Sequence, residues 1–425
     1  MGKKFVTRNF DRDSFDPGLF ISEACEKIRK ECESRKVFNL VSGGVDSTVV
    51  FALLNRALGP DRVLGVHVDT GLMRHNESAA ILEYMNANGF DNLQIENAED
   101  AFLAALDGVY DPEKKRQIIG DLYLDVKDNV SKRLGLNANE WILAQGTIYP
   151  DVLETAAKGE DSGNKIKTHH NRVDAIMELV EKGLIVEPVA PLYKDEVRAV
   201  GEKLGLPRDL VWRHPFPGPG LGVRVLCSDG SAIDDIPVDD AAKLKDITAK
   251  AGYESTLLPL RCTGNRDGRR TYTRPVLIKG NFDWDAIGKL VTDITASVPS
   301  VNRIVYALDT QEPSSYRLIK AHITRHRLDN LRKIDAIVTA ALKETGEYDR
   351  IWQMPVVNLP VVNETTGRET FVLRPIHSKD ALEAHVVMLK RETLDMIVKA
   401  KQSADGIGDI LLDVTPKPPA TIEWE

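Results

Sequence analysis

The sequence SGGVDS at residues 42–47 follows a short apolar run and leads into a stretch with helical periodicity. Two adjacent glycines allow backbone angles that turn successive N–H groups inward, and a helix N-terminus adds partial positive charge. This combination predicts a cradle for phosphate. It is not a Walker A loop, because the GxxxxGKS/T spacing and its lysine are missing. Glycine spacing alone favours a simpler interpretation, a tight turn in which Ser or Asp caps the helix.

Two carboxylates, Asp151 and Glu154, follow the apolar run Trp141–Ala144. If a helix begins at Asp151, both side chains share one face, because residues three positions apart are neighbours on a helix. Two hard oxygen ligands on one face suit Mg²⁺ bound to a polyphosphate. Taken alone, the spacing favours the alternative that these are acidic residues stabilised by the dipole of a helix N-terminus.

A polar, glycine-containing stretch, Lys158–Lys167, follows these carboxylates and predicts a mobile lid. It leads to the neighbouring histidines His169 and His170. Adjacent positions point in different directions, and no matching His or Cys occurs at ligand spacing nearby, which argues against zinc. Lys167 and the two histidines instead suit transient contact with phosphates or with the charge of a transition state. A solvated polar loop is the alternative.

The elements that must position these residues alternate along the first half of the chain. Short apolar runs are separated by helix-period stretches, which predicts a parallel sheet with helices on both faces. Ligands of such sheets bind beyond the carboxyl ends of the strands. The runs lie at Val37–Val41, Val63–Val68, Leu93–Ile95, Trp141–Ala144 and Leu184–Val189.

The Pro- and Gly-rich segment Pro207–Gly222 is predicted to be an interdomain linker, because neither a helix nor a central strand tolerates this composition. Beyond it, β-rich segments are interspersed with helices such as Arg327–Glu344, which predicts an α+β domain with a largely antiparallel sheet. The predicted division is an N-terminal arm at 1–20, an α/β domain at 21–215 and a smaller α+β domain at 216–425.

The composition is that of a globular protein with an excess of acidic residues. Lys and Arg total 56 against 64 Asp and Glu, so the net charge is −8, which argues against a surface that binds nucleic acid. The four cysteines form no CxxC pair and are expected to be reduced thiols. The sequence shows no signal-peptide core and no apolar stretch of about 18 residues. We therefore expect a cytoplasmic protein without membrane or nucleic-acid partners.

Four segments resemble the GMP synthetase family. They are the SGGVDS loop, the stretch from QGTIYPDVLET to KTHHN at 145–171, RHPFPGPGLGVRVL at 213–226, and KPPATIEWE at 417–425. SGGVDS by itself is similar to the pyrophosphate loop of the wider ATP pyrophosphatase superfamily, whose members cleave ATP between the α and β phosphates. The resemblance implies an ATP pyrophosphatase fold of the adenine-nucleotide alpha-hydrolase type, followed by an α+β dimerisation domain.

The resemblance also implies the reaction, a ligase step of purine biosynthesis. ATP would adenylate the C2 oxygen of XMP, Mg²⁺-pyrophosphate would leave, and ammonia would displace AMP to give GMP. A homodimer is implied as well. Most bacterial and eukaryotic family members begin with a glutamine amidotransferase domain, whereas here the pyrophosphate loop starts at residue 42. We therefore expect ammonia to be used free or to come from a separate glutaminase subunit.

The family's functional residues map onto this chain position by position. Contacts to ATP are expected from the loop residues Ser42, Gly43, Gly44, Val45, Asp46 and Ser47, with the adenine near Val66, Val68 and Leu72. Catalytic roles are expected for Asp151, Glu154, Lys167, His169 and His170, and Mg²⁺ ligation for Asp46, Asp151 and Glu154. XMP contacts are expected from Arg213, Arg374, Lys417, Thr421 and Glu425.

One segment departs from the family pattern. Residues 261–272 read RCTGNRDGRRTY, where the family has a sequence close to RTVGVQGDARTY, so Arg266, Asp267 and Gly268 replace Gln-Gly-Asp. This change keeps open a non-catalytic, nucleotide-binding paralogue. A tRNA-modifying ATP pyrophosphatase is the other alternative, and the net charge of −8 and the isolated cysteines count against it.

Overall fold

The computed structural model describes residues 14–152, 179, 182–310, 312, 314–378 and 381–425. The helices are α1 (Pro17–Cys32), α2 (Val45–Leu58), α3 (Glu77–Ala87), α4 (Glu99–Ala105), α5 (Pro112–Arg133), α6 (Lys194–Lys203), α7 (Arg208–Val211), α8 (Val238–Lys250), α9 (Trp284–Ser297), α10 (Arg325–Glu344) and α11 (Arg391–Lys401). The chain forms two compact units, here called unit 1 (Met1–Glu99 and Asp121–Arg213) and unit 2 (Asp100–Gly120 and His214–Glu425).

The described strands of unit 1 form one parallel sheet in the order β3-β2-β1-β4-β5. Its strands are β1 (Lys36–Leu40), β2 (Val63–Asp69), β3 (Leu93–Asn97), β4 (Trp141–Ala144) and β5 (Ile185–Val186). The order reverses between β1 and β4, which are neighbours in space but not in sequence. Such a reversal leaves a crevice at the carboxyl ends of the two strands, where open α/β sheets bind ligands.

Side chains of this sheet alternate between two apolar clusters. On β1, Val37 packs with residues of α1, α2 and α6, whereas Phe38 packs with Val130 of α5 and Leu136. Because successive strand residues point to opposite faces, helices cover both sides of the sheet. The predicted parallel sheet between two helical layers is confirmed.

Helix α1 begins earlier than the predicted arm allowed. The Asp16 carboxylate accepts hydrogen bonds from the backbone nitrogens of Gly18 (2.7 Å) and Leu19 (3.2 Å), and Pro17 is the first helical residue. Asp-Pro-Gly is a composition typical of turns, but Asp as an N-cap and Pro at the first position also start a helix. Residues 17–20 therefore belong to α1, and the part of the predicted arm that is described ends at Asp16.

The predicted linker contains regular structure. The short helix α7 occupies Arg208–Val211, and a 3₁₀ turn occupies Gly220–Val223. The expectation that no helix forms here was wrong, because Pro207 precedes α7 and no proline lies within it. The division between the units, after Arg213, falls inside this segment.

Residues 100–120 pack with unit 2, although the predicted division placed them in the first domain. Three ion pairs join this segment to later residues of unit 2. They are Arg325–Asp100 (2.9 Å), His322–Asp107 (2.9 Å) and Arg270–Glu113 (3.0 Å). Hydrophobic periodicity carries no information about such long-range pairing.

The main sheet of unit 2 has the order β11-β12-β13-β16-β10-β9-β6 among the described strands. The pairs β13–β16 and β10–β9 are parallel and the other pairs are antiparallel. The strands of unit 2 are β6 (Glu254–Leu257), β7 (Cys262–Arg266), β8 (Arg269–Thr273), β9 (Val276–Lys279), β10 (Ile304–Asp309), β11 (Tyr316–Leu318), β12 (Val356–Asn363), β13 (Glu369–Leu373), β14 (Ile376–His377), β15 (His385–Val386) and β16 (Ile410–Asp413). The predicted α+β domain with a largely antiparallel sheet is confirmed.

The segment that departs from the family pattern forms the β7–β8 hairpin. Asp267 and Gly268 are its two loop residues, with φ values of 52° and 73°. Asp-Gly with two positive φ values is typical of the type I′ turn that closes tight hairpins. The Arg266 guanidinium donates to the backbone oxygen of Thr295 in α9 at 3.0 Å. The unusual residues are therefore compatible with a well-formed hairpin.

No described helix combines the length and the apolar composition that crossing a membrane requires.

The cysteines provide a test of this fold. All four are free thiols, and Cys25, Cys32 and Cys262 are buried. Burial raises the pKa of Cys32 and of Cys262 to about 11, so their thiolate fraction at pH 8 is small. We expect DTNB at pH 8 to modify at most the half-buried Cys227 in the native protein, and all four thiols in urea. A Cys227→Ser variant should show no rapid native reaction, and rapid modification of two or more thiols would contradict the packing.

Candidate functional site

The loop at residues 42–47 connects β1 to the N-terminus of α2. Gly43 has φ 80°, which residues with side chains disfavour, and Gly44 is the N-cap of α2. The loop is closed by its two serines: the Ser42 backbone nitrogen donates to Ser47 Oγ (3.2 Å), and the two hydroxyl oxygens are 3.1 Å apart. A closed glycine loop at a helix N-terminus has the architecture of an anion site.

The chain after β4 runs against this loop. A Cβ atom on Gly146 would lie only 3.0 Å from the backbone nitrogen of Ser47 and 3.2 Å from the carbonyl carbon of Asp46. Only glycine allows so close an approach. The loops that follow β1 and β4 therefore meet at the point where the strand order reverses.

Asp151 lies five residues beyond Gly146, in a helical turn. Its Oδ2 accepts a hydrogen bond from the backbone nitrogen of Ile148 at 3.0 Å. The other residues predicted to be catalytic, Glu154, Lys167, His169 and His170, lie outside the described residues, as does the whole of the predicted lid.

The structure adds Lys194 to this site, a residue that the sequence analysis missed. Lys194 is the first residue of α6, and its Nζ forms an ion pair with Asp46 Oδ2. The start of α6 is readable from sequence, since Glu196 accepts from the Tyr193 backbone nitrogen (2.8 Å) in a capping arrangement. The contact between Lys194 and Asp46 cannot be predicted from the sequence, because it depends on how α6 packs.

The residues present fit a magnesium ion that accompanies a polyphosphate. Asp46 Oδ1 is buried and has no hydrogen-bond partner within the described part of the chain. An orphaned carboxylate oxygen is a suitable ligand for a hard cation, and Mg²⁺ commonly uses one or two carboxylates together with phosphates and water. Asp151 supplies a second carboxylate. No group of three or more potential metal ligands occurs among the described residues, so they do not form a metal cage by themselves.

The three apolar residues expected near the adenine have different surroundings. Val66 packs into the sheet core with Phe38 and Leu143. Val68 and Leu72 are also buried, at the carboxyl end of β2 and just beyond it. Between them, Asp69 Oδ1 accepts from the Gly71 backbone nitrogen at 2.9 Å. Val68 and Leu72 remain the predicted adenine neighbours, whereas the Val66 side chain belongs to the core.

Arg213, expected to contact XMP, lies beside the phosphate loop in unit 1. Its Nη1 pairs with Glu77 Oε1 at 2.5 Å, and its Nη2 would be 3.6 Å from a Cβ on Gly43. The other four residues expected to bind XMP belong to unit 2.

Lys417, Thr421 and Glu425 lie in the C-terminal tail, which follows β16 and is organised around the buried carboxylate of Asp413, whereas Arg374 follows β13 and pairs with that carboxylate. Its Oδ2 accepts from Arg303 Nη1 (2.5 Å), Arg374 Nη1 (2.9 Å) and Trp424 Nε1 (3.1 Å). Its Oδ1 accepts from the Thr415 backbone nitrogen at 3.1 Å. A charged group that is buried away from water is tolerated only when it is fully paired in this way.

The two arginines also hold the tail backbone. Arg374 Nε donates to the oxygen of Ile422 (3.1 Å), and Arg303 Nη2 donates to the oxygen of Thr421 (3.0 Å). Burial lowers the pKa of Arg374 to about 10, which leaves it charged at neutral pH. Thr421 Oγ1 is 2.9 Å from the carbonyl oxygen of Thr263, to which it donates. Arg374 and Thr421 thus have internal roles in ordering the tail.

Lys417 and Glu425, at the two ends of the tail, are held by different partners. Lys417 Nζ donates to the oxygen of Ala381 at 2.6 Å. Glu425 Oε1 accepts from the fully buried Lys115 Nζ at 2.7 Å, and Lys115 also donates to the oxygen of Val225. Burial raises the pKa of the Glu425 carboxyl, and Lys115 acts in the opposite direction.

Arg224 is a second residue that the sequence analysis missed. It is fully buried, its Nη2 lies 3.2 Å from Glu423 Oε1, and its guanidinium lies 5.3 Å from the centre of the Phe216 ring. Its Nη1 has no hydrogen-bond partner among the residues described, as is also true of Arg303 Nε and Arg374 Nη2. These three donors are unmade hydrogen bonds in the interior of unit 2, where most buried polar groups are paired. Arg224 lies in the segment 213–226, from which only Arg213 was expected to contact XMP.

Comparisons with known proteins agree with both units. The family model described as GMP synthase C terminal domain matches residues 340–424. The model described as NAD synthase matches residues 20–133, which include the phosphate loop. Among solved structures, NMN synthetase from Francisella tularensis is 15% identical and aligns with 49% of this chain and 79% of its own, with a TM-score of 0.34.

Two curated relatives match nearly the whole chain. A probable glutamine-hydrolysing GMP synthase of Leptospira interrogans is 37% identical over 413 residues, which cover 96% of this chain and 67% of that protein. The glutamine-hydrolysing GMP synthase of Dictyostelium discoideum is 30% identical, and the match covers 95% of this chain and 64% of that protein. This chain thus spans about two thirds of the length of these relatives.

The buried carboxylate of Asp413 gives a stability test. We expect Asp413→Asn to lower the free energy of unfolding by about 3 kcal/mol or more, because it leaves Arg303 and Arg374 without a buried counter-charge. Urea titration measures this change. The control is Asp395→Asn, which removes an exposed partner of Arg391 and should cost about 0.5 kcal/mol or less. Equal effects of the two substitutions would show that the buried network does not stabilise unit 2.

Proposed function

Because the chain belongs to the GMP synthase family of ligases, we propose that it aminates XMP to GMP at the expense of ATP. In this reaction the C2 oxygen of XMP attacks the α-phosphorus of ATP, and pyrophosphate leaves with the electrons of the broken Pα–O bond. Ammonia then attacks C2 of the adenylyl-XMP intermediate, the C2–O bond breaks, and AMP departs. The observation that carries the proposal is the closed SGGVDS loop at the N-terminus of α2, where Asp46 keeps an unpaired buried oxygen.

The phosphate loop supports this role through its backbone. Gly43 and Gly44 supply N–H groups without side chains that would crowd a phosphate, and the first turn of α2 adds partial positive charge. These donors stabilise the negative charge that develops on the departing pyrophosphate. Gly146, in the segment after β4, packs closely against Ser47. This contact fixes the distance between that segment and the phosphate loop.

Asp46 and Asp151 are the described residues proposed to hold Mg²⁺. When bound there, Mg²⁺ would neutralise charge on the β and γ phosphates. Lys194 holds Asp46 Oδ2 in the present structure and compensates its negative charge. We assign Lys194 a second role, contact with pyrophosphate oxygens once Asp46 binds the metal, because its ammonium is half exposed and sits on a flexible stem.

The tail of unit 2 is the proposed binding element for XMP. Lys417 and the unsatisfied guanidinium donors of Arg224 and Arg374 offer positive charge for a phosphate and an anionic purine. Thr421 and Glu425 are proposed to act through the ordered backbone of the tail. Burial in the Asp413 network makes this backbone rigid, so little conformational entropy is lost when the nucleotide binds.

We propose a homodimer, and ammonia that is either free or delivered by a separate glutaminase subunit. The lid and its residues Lys167, His169 and His170 are proposed to exclude water from the adenylyl intermediate, since hydrolysis would waste ATP. Glu154 is proposed to act with Asp151.

The amination is tested by incubating the protein with ATP, Mg²⁺, XMP and ammonium. We expect XMP absorbance to fall and AMP and pyrophosphate to appear in equal amounts. Asp46→Asn should reduce turnover at least about a hundredfold, because it removes a metal ligand. Asp61→Asn, an exposed substitution in the same unit, is the control and should retain activity.

Three outcomes of this assay discriminate the alternatives. If ATP is consumed with tRNA but XMP is untouched, the protein is a tRNA-modifying enzyme. If nucleotides bind without turnover, it is a non-catalytic paralogue. Replacing ammonium by glutamine, with and without cell lysate, shows whether a glutaminase subunit supplies the ammonia.

The role of Lys194 is tested with Lys194→Met. We expect turnover to fall about tenfold or more, because a positioned cation on the leaving group is lost. The free energy of unfolding should change by less than about 1 kcal/mol, because the ion pair with Asp46 is partly exposed to solvent, which weakens it. Lys203→Met, at the exposed end of the same helix, is the matched control. Unchanged turnover with Lys194→Met would remove Lys194 from the mechanism.

A further inference from the structure

His67 is a buried polar side chain for which the reaction above has no use. It lies in β2, is 1% exposed, and both of its ring nitrogens have partners. Nδ1 is 2.7 Å from the carbonyl oxygen of Val41, and Nε2 is 3.0 Å from Ser78 Oγ. A carbonyl oxygen only accepts, so Nδ1 carries the proton that it shares with Val41, and the Ser78 hydroxyl can donate to Nε2.

The bond to Val41 acts at the point where the chain leaves β1 and enters the phosphate loop. The Val41 backbone nitrogen still pairs with the oxygen of Val66 on β2 at 2.9 Å. Its carbonyl, which forms one peptide group with the nitrogen of Ser42, is held by the imidazole. Because a peptide group is planar, fixing the Val41 oxygen also fixes the direction of the Ser42 N–H.

The imidazole also supports the next residue of the loop. His67 Cε1 lies 3.4 Å from the position that a Cβ on Gly43 would take, and Ile81 Cδ1 lies 3.0 Å from it. Gly43 therefore rests on the ring edge with its φ of 80°. A side chain at position 43 would therefore be crowded by Ile81 and His67, and its backbone would be strained by the positive φ.

Helix α3 holds the imidazole from behind. Ser78, which contacts Nε2, and Glu77, which pairs with Arg213, are the first two residues of α3. Glu77 Oε2 also accepts from the Arg74 backbone nitrogen at 3.1 Å. The side chains of Glu77 and Ser78 are buried. The first turn of α3 therefore holds both His67 and Arg213 in position beside the loop.

We propose that His67 is a positioning residue of the pyrophosphate loop, and that it sets the orientation of the peptide group between Val41 and Ser42 through its Nδ1–H. The ligand class that depends on it is a polyphosphate, the β- and γ-phosphates of ATP. This inference rests on the proposed function for the identity of that ligand. Arg213, through Glu77, belongs to the same support and not to the XMP site.

Two amide substitutions separate the two hydrogen bonds of the ring. The amide nitrogen of Asn occupies nearly the position of Nδ1, whereas that of Gln reaches nearly the position of Nε2. His67→Asn therefore keeps a donor for Val41, and His67→Gln keeps only the contact to Ser78. The readout is the dissociation constant of Mg-ATP and of AMP, measured by calorimetry on the full chain.

We expect His67→Gln to weaken Mg-ATP binding about five- to tenfold, the effect of one lost hydrogen bond, and to leave AMP binding unchanged. His67→Asn should bind Mg-ATP within about threefold of the unsubstituted protein. Ser78→Ala keeps the imidazole but frees Nε2, and should weaken Mg-ATP about two- to threefold without affecting AMP. AMP is the informative comparison because it lacks the β and γ phosphates.

The control is Asn55→Ala, which removes a buried side-chain hydrogen bond to Phe51 in α2 away from the loop. It should lower the unfolding midpoint without changing the ratio of ATP to AMP affinity. Equal loss of ATP and AMP binding in His67→Gln, or equal behaviour of the Asn and Gln variants, would overturn the proposal. Since binding is measured without XMP, failure of the amination assay leaves this test intact, whereas absence of ATP binding in the unsubstituted protein contradicts the proposed function itself.

Discussion

In the parallel sheet of unit 1, β1 and β4 are neighbours although two further strands separate them in sequence, and the strand order reverses between them. The proposed nucleotide site depends on this constraint. Strand β2 lies beyond β1 and β5 lies beyond β4, and open α/β sheets bind ligands at the carboxyl ends of strands where the order reverses in this way. The SGGVDS loop and the segment after β4 meet there, at the close approach of Gly146 to Ser47. Lys194, Asp46 and the imidazole of His67 acquire their roles only because this junction brings them together.

Unit 2 uses a different physical principle. The C-terminal tail of unit 2 lacks long regular elements. It is ordered by the buried carboxylate of Asp413, which accepts from two arginines and from the indole of Trp424. Breaking one member of a buried ionic network leaves the others uncompensated, so such a network enforces one arrangement of the chain. The backbone of this tail, which we propose as a binding element, is therefore ordered by contacts within unit 2.

The sites proposed in the two units present the same problem, the binding of anions by a protein whose net charge is −8. Unit 1 uses backbone N–H groups, a helix N-terminus and the cation of Lys194. Unit 2 uses arginines whose charge is shielded by Asp413 and Glu423. In each case the cations are held by carboxylates before any ligand arrives. A few local groups in fixed positions are sufficient, because the field of the whole surface contributes little at contact distance.

The amino-acid sequence alone determined the fold class and most strand positions, which follow from apolar runs of strand length and from helical periodicity. Glycine spacing by itself favoured a capped turn at residues 42–47, and only the resemblance of the whole string SGGVDS to a known family predicted a phosphate loop. The strand at Trp141–Ala144 has its predicted bounds, and in the β-rich second half β8 is separated from β9 at Arg274 and Pro275. A proline that removes a ladder donor ends a strand even where β-propensity continues.

Only the tertiary structure decided which charged residues meet. Arg213 and Arg374 were both expected to contact XMP. Arg213 instead pairs with Glu77 beside the phosphate loop, whereas Arg374 pairs with the buried Asp413. Lys194 and His67 had no signal at all, because their partners Asp46 and Val41 are distant in sequence. Local patterns act over a few residues along the chain. Ion pairs and hydrogen bonds instead depend on distances of about 3 Å, which are set when elements far apart in sequence pack together.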